Sequence, residues 1–112
     1  KAYNVGASRA YYSVFLALKN YLINNNFDYS GFLEKIGRTG ERVFSHGTIK
    51  QAFANCFLKE GKKNLNQLFC IGYIDNLYRR RRKADYEENN ISKDEFLASH
   101  REAEALFQII GE

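Results

Sequence analysis

Residues 77–86, Leu-Tyr-Arg-Arg-Arg-Arg-Lys-Ala-Asp-Tyr, place four arginines and a lysine directly before Ala84, Asp85 and Tyr86. Arginine presents a planar fork of N–H donors that matches two oxygens of a phosphate, so this run suits a nucleic acid or a nucleotide. Five consecutive residues wrap more than one helical turn and cannot share a face. Continuing the apolar steps Ile71, Ile74, Leu77 and Tyr78 by three or four residues reaches Arg81. Arg81 is therefore the inward member, placed to hold a phosphate. Arg79, Arg80 and Arg82 are expected to be more exposed, and with Lys83 they would draw an anion towards it. Asp85 lies four residues beyond Arg81 and can pair with it if the helix continues. The plainer reading of the same residues is an Arg81–Asp85 ion pair closing the helix, with the other cations favoured by the helix dipole.

Two histidines could join this chemistry. His46 follows Ser45 at the start of a helix, where free N–H groups and the positive dipole end suit an anion. The alternative is that Ser45 caps the helix and His46 hydrogen-bonds a neighbour. His100 falls on the apolar stripe of the last helix, where a histidine is usually a hydrogen-bonded core residue. Tyr11 and Tyr12 could stack on bases, although aromatics at helical spacing are more often core. Two histidines among scattered acids make no metal-ligand motif. Neither a Ser/His/Asp or Cys/His signature nor a glycine-rich phosphate loop is present. No cofactor is expected.

These residues need helices to position them. Tyr11, Val14, Phe15, Leu18, Tyr21 and Leu22 recur at three- and four-residue steps, which predicts a helix from about Asn4 to Ile23. Asn24, Asn25 and Asn26 stop it. Residues 27–46 are expected to be a long loop with one short helix, containing Arg38 and Arg42. A helix from Ser45–Thr48 to Gly61 would bury Ile49, Ala52, Phe53, Cys56 and Phe57. Asn64 with Gln67 forms a capping box for a helix over about 65–84. Its apolar residues Leu65, Leu68, Phe69, Ile71, Ile74, Leu77 and Tyr78 nearly encircle it, which predicts a central position. A polar turn over 87–90 leads to a second box at Ser92–Glu95. The last helix carries Phe96, His100, Ala103, Leu106, Phe107 and Ile110 on its stripe and ends near Gly111. The expected fold is all-α, an antiparallel four-helix up-and-down bundle with a short extra helix in the 27–46 loop.

Composition agrees with that expectation. A chain of 112 residues is one domain, 1–112, long enough to bury a core without disulfides or metal. It has nine Phe, eight Tyr and no Pro, which suits helices joined by short turns better than a β-sandwich. The net charge of +4 is compatible with a nucleic-acid partner without requiring one. Cys56 and Cys70 lie in apolar helical stretches and read as buried thiols of a reducing cytoplasm. No apolar run approaches the roughly 20 residues of a membrane span. No signal peptide is visible, and a chain that begins with Lys1 reads as a fragment or a processed product.

Three stretches together resemble the HEPN (higher eukaryotes and prokaryotes nucleotide-binding) superfamily. Ser8-Arg9-Ala10-Tyr11-Tyr12-Ser13-Val14-Phe15 is similar to the S/N-R-x-Y-Y-x-x-F pattern of its small prokaryotic members. Ser45-His46 through Ile49 and Phe53 is similar to their S-H-x-x-x-I-x-x-x-F stretch, with two rather than three residues between His46 and Ile49. Arg81-Arg82-Lys83-Ala84-Asp85-Tyr86 is similar to their R-x-x-A-D-Y ending. The likeness spans residues 7–110, and a preceding helical segment common in the family would be missing here.

The resemblance implies a helical bundle, usually a homodimer, in a toxin–antitoxin or other defence locus. A minimal nucleotidyltransferase is a frequent partner. Many members are metal-independent ribonucleases with an R-x4–6-H motif, in which His does acid/base work and Arg stabilises charge at phosphorus. Arg81 matches that Arg, whereas Tyr86 stands where the histidine would be after four intervening residues. His46 is the substitute if the fold brings it to Arg81. Two readings stand. One is an RNA- or nucleotide-binding module with Arg81, Tyr86 and His46 in the site, attracting its ligand through Arg79, Arg80, Arg82 and Lys83, with Asp85 beside them. The other is a non-catalytic dimerising module that docks a nucleotidyltransferase or another protein.

Overall fold

A computed structural model describes residues 2–38, 45–59, 65–86 and 90–111. Asn64, Arg42, most of the 87–90 turn and the side chains of Leu65, Gln67, Leu68 and Cys70 lie outside the description. The described residues are helical throughout their regular structure: α1 Ala2–Asn24, α2 Tyr29–Lys35, α3 His46–Lys59, α4 Leu65–Tyr86 and α5 Lys93–Ile110. The fold is all-α. No helix among the described residues is long and apolar enough to cross a membrane.

Tyr11, Val14, Leu18, Tyr21 and Leu22 of α1 are buried, as their spacing requires, and so are Ile49, Ala52, Phe53, Cys56 and Phe57 of α3. Ile74 and Leu77 of α4, Leu106 of α5, and Phe32 and Leu33 of α2 complete one core. Asp28 caps α2 by accepting from the Gly31 N–H at 3.1 Å. Ser92 caps α5 in a reciprocal box with Glu95, and Gly111 closes it in the left-handed conformation at φ 81°.

The helix at the centre is α1, which packs on α3, α4 and α5. The helix expected at the centre, α4, likewise packs on α1, α3 and α5, but in its described part the apolar residues do not encircle it. Phe69, counted in its encircling apolar set, is 66% exposed, and in the described part of α4 only Ile74 and Leu77 are buried. The other faces of α4 carry Asp75, Asn76 and the arginines, which make polar pairs with α3, α1 and α5. Along α5 the inward residue is Ser99, fully buried, while His100 is exposed. The expectation of His100 as a core residue is thereby corrected: a rotation of about 100° per residue moves it off the buried face.

Helix directions follow from which ends meet. Asn4 reaches Ala84, and Tyr12 reaches Arg81, so α4 runs against α1. Lys83 pairs with Glu95 and Arg80 with Glu102, so α5 runs against α4. By contrast, α3 runs with α1: His46 lies beside Tyr11, and Phe53 and Phe57 lie beside Tyr21. With α1 and α3 side by side in one direction, the expected strict up-and-down alternation is corrected, while the four-helix bundle stands.

Two devices hold α1 against the α4–α5 junction. The Asn4 amide donates to the Ala84 carbonyl at 3.3 Å and accepts from the Ile91 N–H at 2.9 Å. Gly6 faces the Phe96 ring so closely that a Cβ there would overlap it, which lets α1 and α5 approach.

Candidate functional site

Arg81 projects from the last turns of α4 towards α1. Its Nη2 donates to the Tyr12 hydroxyl at 2.5 Å and to the Tyr86 hydroxyl at 3.2 Å. The guanidinium carbon lies 5.2 Å from the Tyr12 ring centre and 5.0 Å from that of Tyr86. Nε is 3.1 Å from Asp85 Oδ2, an i,i+4 ion pair whose alignment is too poor for a hydrogen bond, so the buried Nε–H has no acceptor. Asp85 is itself held by the Ser8 hydroxyl at 2.5 Å. Burial opposes the charge on Arg81, but Tyr12, Tyr86 and Asp85 outweigh it and hold the guanidinium more firmly protonated than usual.

An open recess of about 220 Å³ lies against this arginine, lined by Tyr11, Tyr12, Phe15, Ser45, His46, Tyr78 and Arg81. His46 reaches it because Ser45 caps α3. The Ser45 hydroxyl accepts from the Thr48 N–H at 3.3 Å, while Thr48 Oγ1 accepts from the Ser45 N–H at 2.8 Å. That cap sets His46 in the first turn with its ring stacked flat on Tyr78, centroids 3.7 Å apart and planes 8° apart. Nε2 lies 3.0 Å from Asp75 Oδ1 and Nδ1 lies 3.2 Å from the Tyr11 hydroxyl. Lys50, one turn along α3, pairs with the other oxygen of Asp75.

The charge states follow from these contacts. Burial raises the Asp75 carboxyl, but hydrogen bonds from Lys50 and His46 outweigh it and keep it ionised below the usual range. Burial lowers His46 more than Asp75 raises it, which favours the neutral imidazole. Burial, with Tyr78 close by, pushes the Tyr11 hydroxyl up to about 12 against a smaller opposing effect of Arg81.

The basic run divides by helical phase. Arg80 points to α5, where it pairs with Glu102 and donates to the buried Ser99 hydroxyl at 3.3 Å. The Arg80 and Glu102 side chains are only 11% and 12% exposed. The expectation that Arg80 is among the more exposed arginines is corrected: a step of three from Leu77 brings it over α5, as a step of four brings Arg81 over α1. Lys83 donates to both Glu95 oxygens at 3.1 Å. Arg79 and Arg82 are exposed, and Arg82 lies 5.9 Å from the Tyr78 ring centre and 5.8 Å from that of Tyr86. The fold thus brings Arg81, Tyr86, Asp85, Arg82 and His46 to one side of the bundle. It commits Arg80 and Lys83 to α5 and leaves His100 exposed on that helix.

Comparison with models of protein families, with curated proteins and with solved structures finds no match. The site therefore rests on its own geometry. Asp75, Tyr78 and Lys50 belong to it and were not among the sequence candidates. Lys50 has a local signal, four residues after His46 on one helix face. Asp75 has none, because its partners lie on another helix.

Proposed function

We propose that this chain is a HEPN-type module that binds RNA or a nucleotide through phosphate contact at Arg81. The proposal extends to metal-independent RNA cleavage in a defence or toxin–antitoxin setting. One observation carries it. The three stretches that resemble the family are far apart in sequence, yet Tyr11, Tyr12, His46 and Arg81 line one recess, and Tyr86 touches Arg81 beside it. A bundle needing only a core has no use for a guanidinium suspended between two tyrosines that are themselves largely exposed, Tyr12 at 46% and Tyr86 at 66%. Aromatic faces beside an arginine suit an unstacked base and its phosphate. Arg79 and Arg82 supply the long-range attraction, since the charges of Arg80 and Lys83 are matched on α5.

The test is binding and cleavage of single-stranded RNA in the presence of a chelator, with wild type and Arg81→Ala side by side. Wild type is expected to bind, to weaken steeply with salt through counterion release, and to lose affinity by about tenfold or more in Arg81→Ala. RNA binding that is absent at low salt, or unaltered in Arg81→Ala, refutes the assignment. Binding without cleavage confines the function to recognition.

A second reading is a homodimer that docks a protein partner such as a nucleotidyltransferase. It is favoured by a stripe on α1, where Val5, Tyr12, Leu16 and Ile23 are exposed at steps of seven and four residues. Tyr12 belongs to both the stripe and the recess, so dimerisation along α1 and ligand binding at Arg81 are compatible.

A further inference from the structure

We infer that Tyr11 is a ribose sensor: its hydroxyl oxygen accepts a hydrogen bond from a ligand hydroxyl next to the phosphate held by Arg81, and His46 and Asp75 orient it for that task. The inference rests on the proposed RNA- or nucleotide-binding role and specifies which sugar the recess prefers.

The argument starts from donor and acceptor inventories. An ionised carboxylate only accepts, so the contact between Asp75 Oδ1 and His46 Nε2 requires the proton on Nε2. Neutral imidazole has one N–H, which leaves Nδ1 with a lone pair. The Tyr11 hydroxyl, 3.2 Å away, must then donate to Nδ1. A tyrosine hydroxyl has a single proton, so what Tyr11 can offer a ligand is acceptor capacity only.

The groups that face His46 agree with this assignment. From α1 there is Tyr11, from α4 come Asp75 and the stacked Tyr78, and from α3 itself Lys50, which holds Asp75. Arg81 lines the same recess and is a pure donor. The wall therefore sets an arginine donor and a tyrosine acceptor among the hydroxyls of Tyr12, Ser45 and Tyr78. A phosphate oxygen matches the first and is mismatched with the second, because it has no proton to give. A ribose 2′-hydroxyl matches the second and lies next to the 3′-phosphate. Recognition of that hydroxyl is how a protein tells RNA from DNA at one site. Tyr11 lines the recess and is only 4% exposed, so it makes this contact with one nucleotide seated there and not with the outer surface of a duplex.

The experiment compares binding of one single-stranded sequence as RNA, as 2′-deoxy and as 2′-O-methyl oligonucleotide, by fluorescence anisotropy at fixed low salt. Wild type is expected to favour RNA over both analogues by about three- to tenfold, the range of one neutral hydrogen bond. Tyr11→Phe keeps the ring and removes the oxygen, so it is expected to bind all three alike, at the affinity wild type has for the analogues. Asp75→Asn releases the imidazole tautomer and is expected to narrow the ratio of RNA to 2′-deoxy affinity. Nitrogen-15 NMR of labelled histidine provides a readout that packing alone does not mimic. His46 should be the Nε2–H form in wild type and in Tyr11→Phe, and a mixture in Asp75→Asn. Equal wild-type affinity for the three oligonucleotides, a preference that survives in Tyr11→Phe, or an Nδ1–H tautomer in wild type overturns the inference alone. Wild type binding none of the three overturns the proposed function and this inference with it.

Discussion

Arg80 and Arg82 stand two residues apart on α4 and perform different tasks. Arg80 spans to α5 and shares Glu102 with Asn76, which donates to Glu102 Oε2 at 2.8 Å. Removing it leaves a largely buried carboxylate with one neutral partner. Arg80→Ala is therefore expected to cost about 2 kcal/mol in denaturant unfolding. Arg82 rests on two tyrosine rings at the surface, so Arg82→Ala should change stability by no more than ~0.5 kcal/mol. For RNA affinity the order is reversed. Arg82→Ala is expected to reduce the salt slope by about one, and a folded Arg80 variant to leave it unchanged. The four arginines look equivalent in the sequence apart from their phase. Phase found Arg81 facing the bundle but missed that Arg80, 11% exposed against 15% for Arg81, is inward as well, because α5 covers a face that the apolar residues of α4 do not mark.

At the scale of elements, most boundaries could be read locally. The Ser92–Glu95 box is a four-residue pattern, and its outcome is a cap with Glu95 Oε1 accepting from the Ser92 N–H at 3.1 Å. The Ser92 N–H holds Glu95 below its ordinary 4.5 against the opposing effect of burial, and Lys83 adds to the lowering. The sign follows from linkage. An unfolded Glu95 binds protons more readily than the folded one, so its contribution is complete above pH 4.5 and is lost as pH falls through the lowered value. Ser92→Ala is expected to cost about 1 kcal/mol at neutral pH. Glu95→Gln should flatten the decline of stability below pH 4.5, as followed by denaturant titration at a series of pH values. Local patterning had less to say about the start of α3. There Ser45 caps, as expected, but the partner closing the box is the buried Thr48, and the cap also aims His46 at α4.

Across the whole molecule, α1 is both the centre of the bundle and the carrier of an exposed apolar stripe. Its inward face holds Tyr11, Val14, Leu18 and Leu22, while Val5, Tyr12, Leu16 and Ile23 face outwards. Steps of seven and four residues are those of a helix meeting another helix. If a second copy covers that face, wild type should sediment as a dimer at micromolar concentration. Leu16→Glu should sediment as a monomer with its helical circular dichroism intact, because Leu16 takes no part in the core. A monomeric wild type would remove the dimer from the proposal.

The sequence by itself determined that the chain is helical, where most helices begin and end, and which faces of α1 and α3 are buried. These follow from apolar periodicity and caps, which act between residues three or four positions apart. It also marked Arg81, Asp85 and His46, since phase and helix starts are local properties. Only the tertiary structure decided which helix each marked face meets. Asp75 and His46 are 29 residues apart, His46 and Tyr11 are 35 apart, and Arg81 and Tyr12 are 69 apart. No pattern of short-range spacing encodes those meetings. They depend on α3 running alongside α1 while α4 runs against it, and that arrangement sets Tyr11, His46 and Arg81 around one recess.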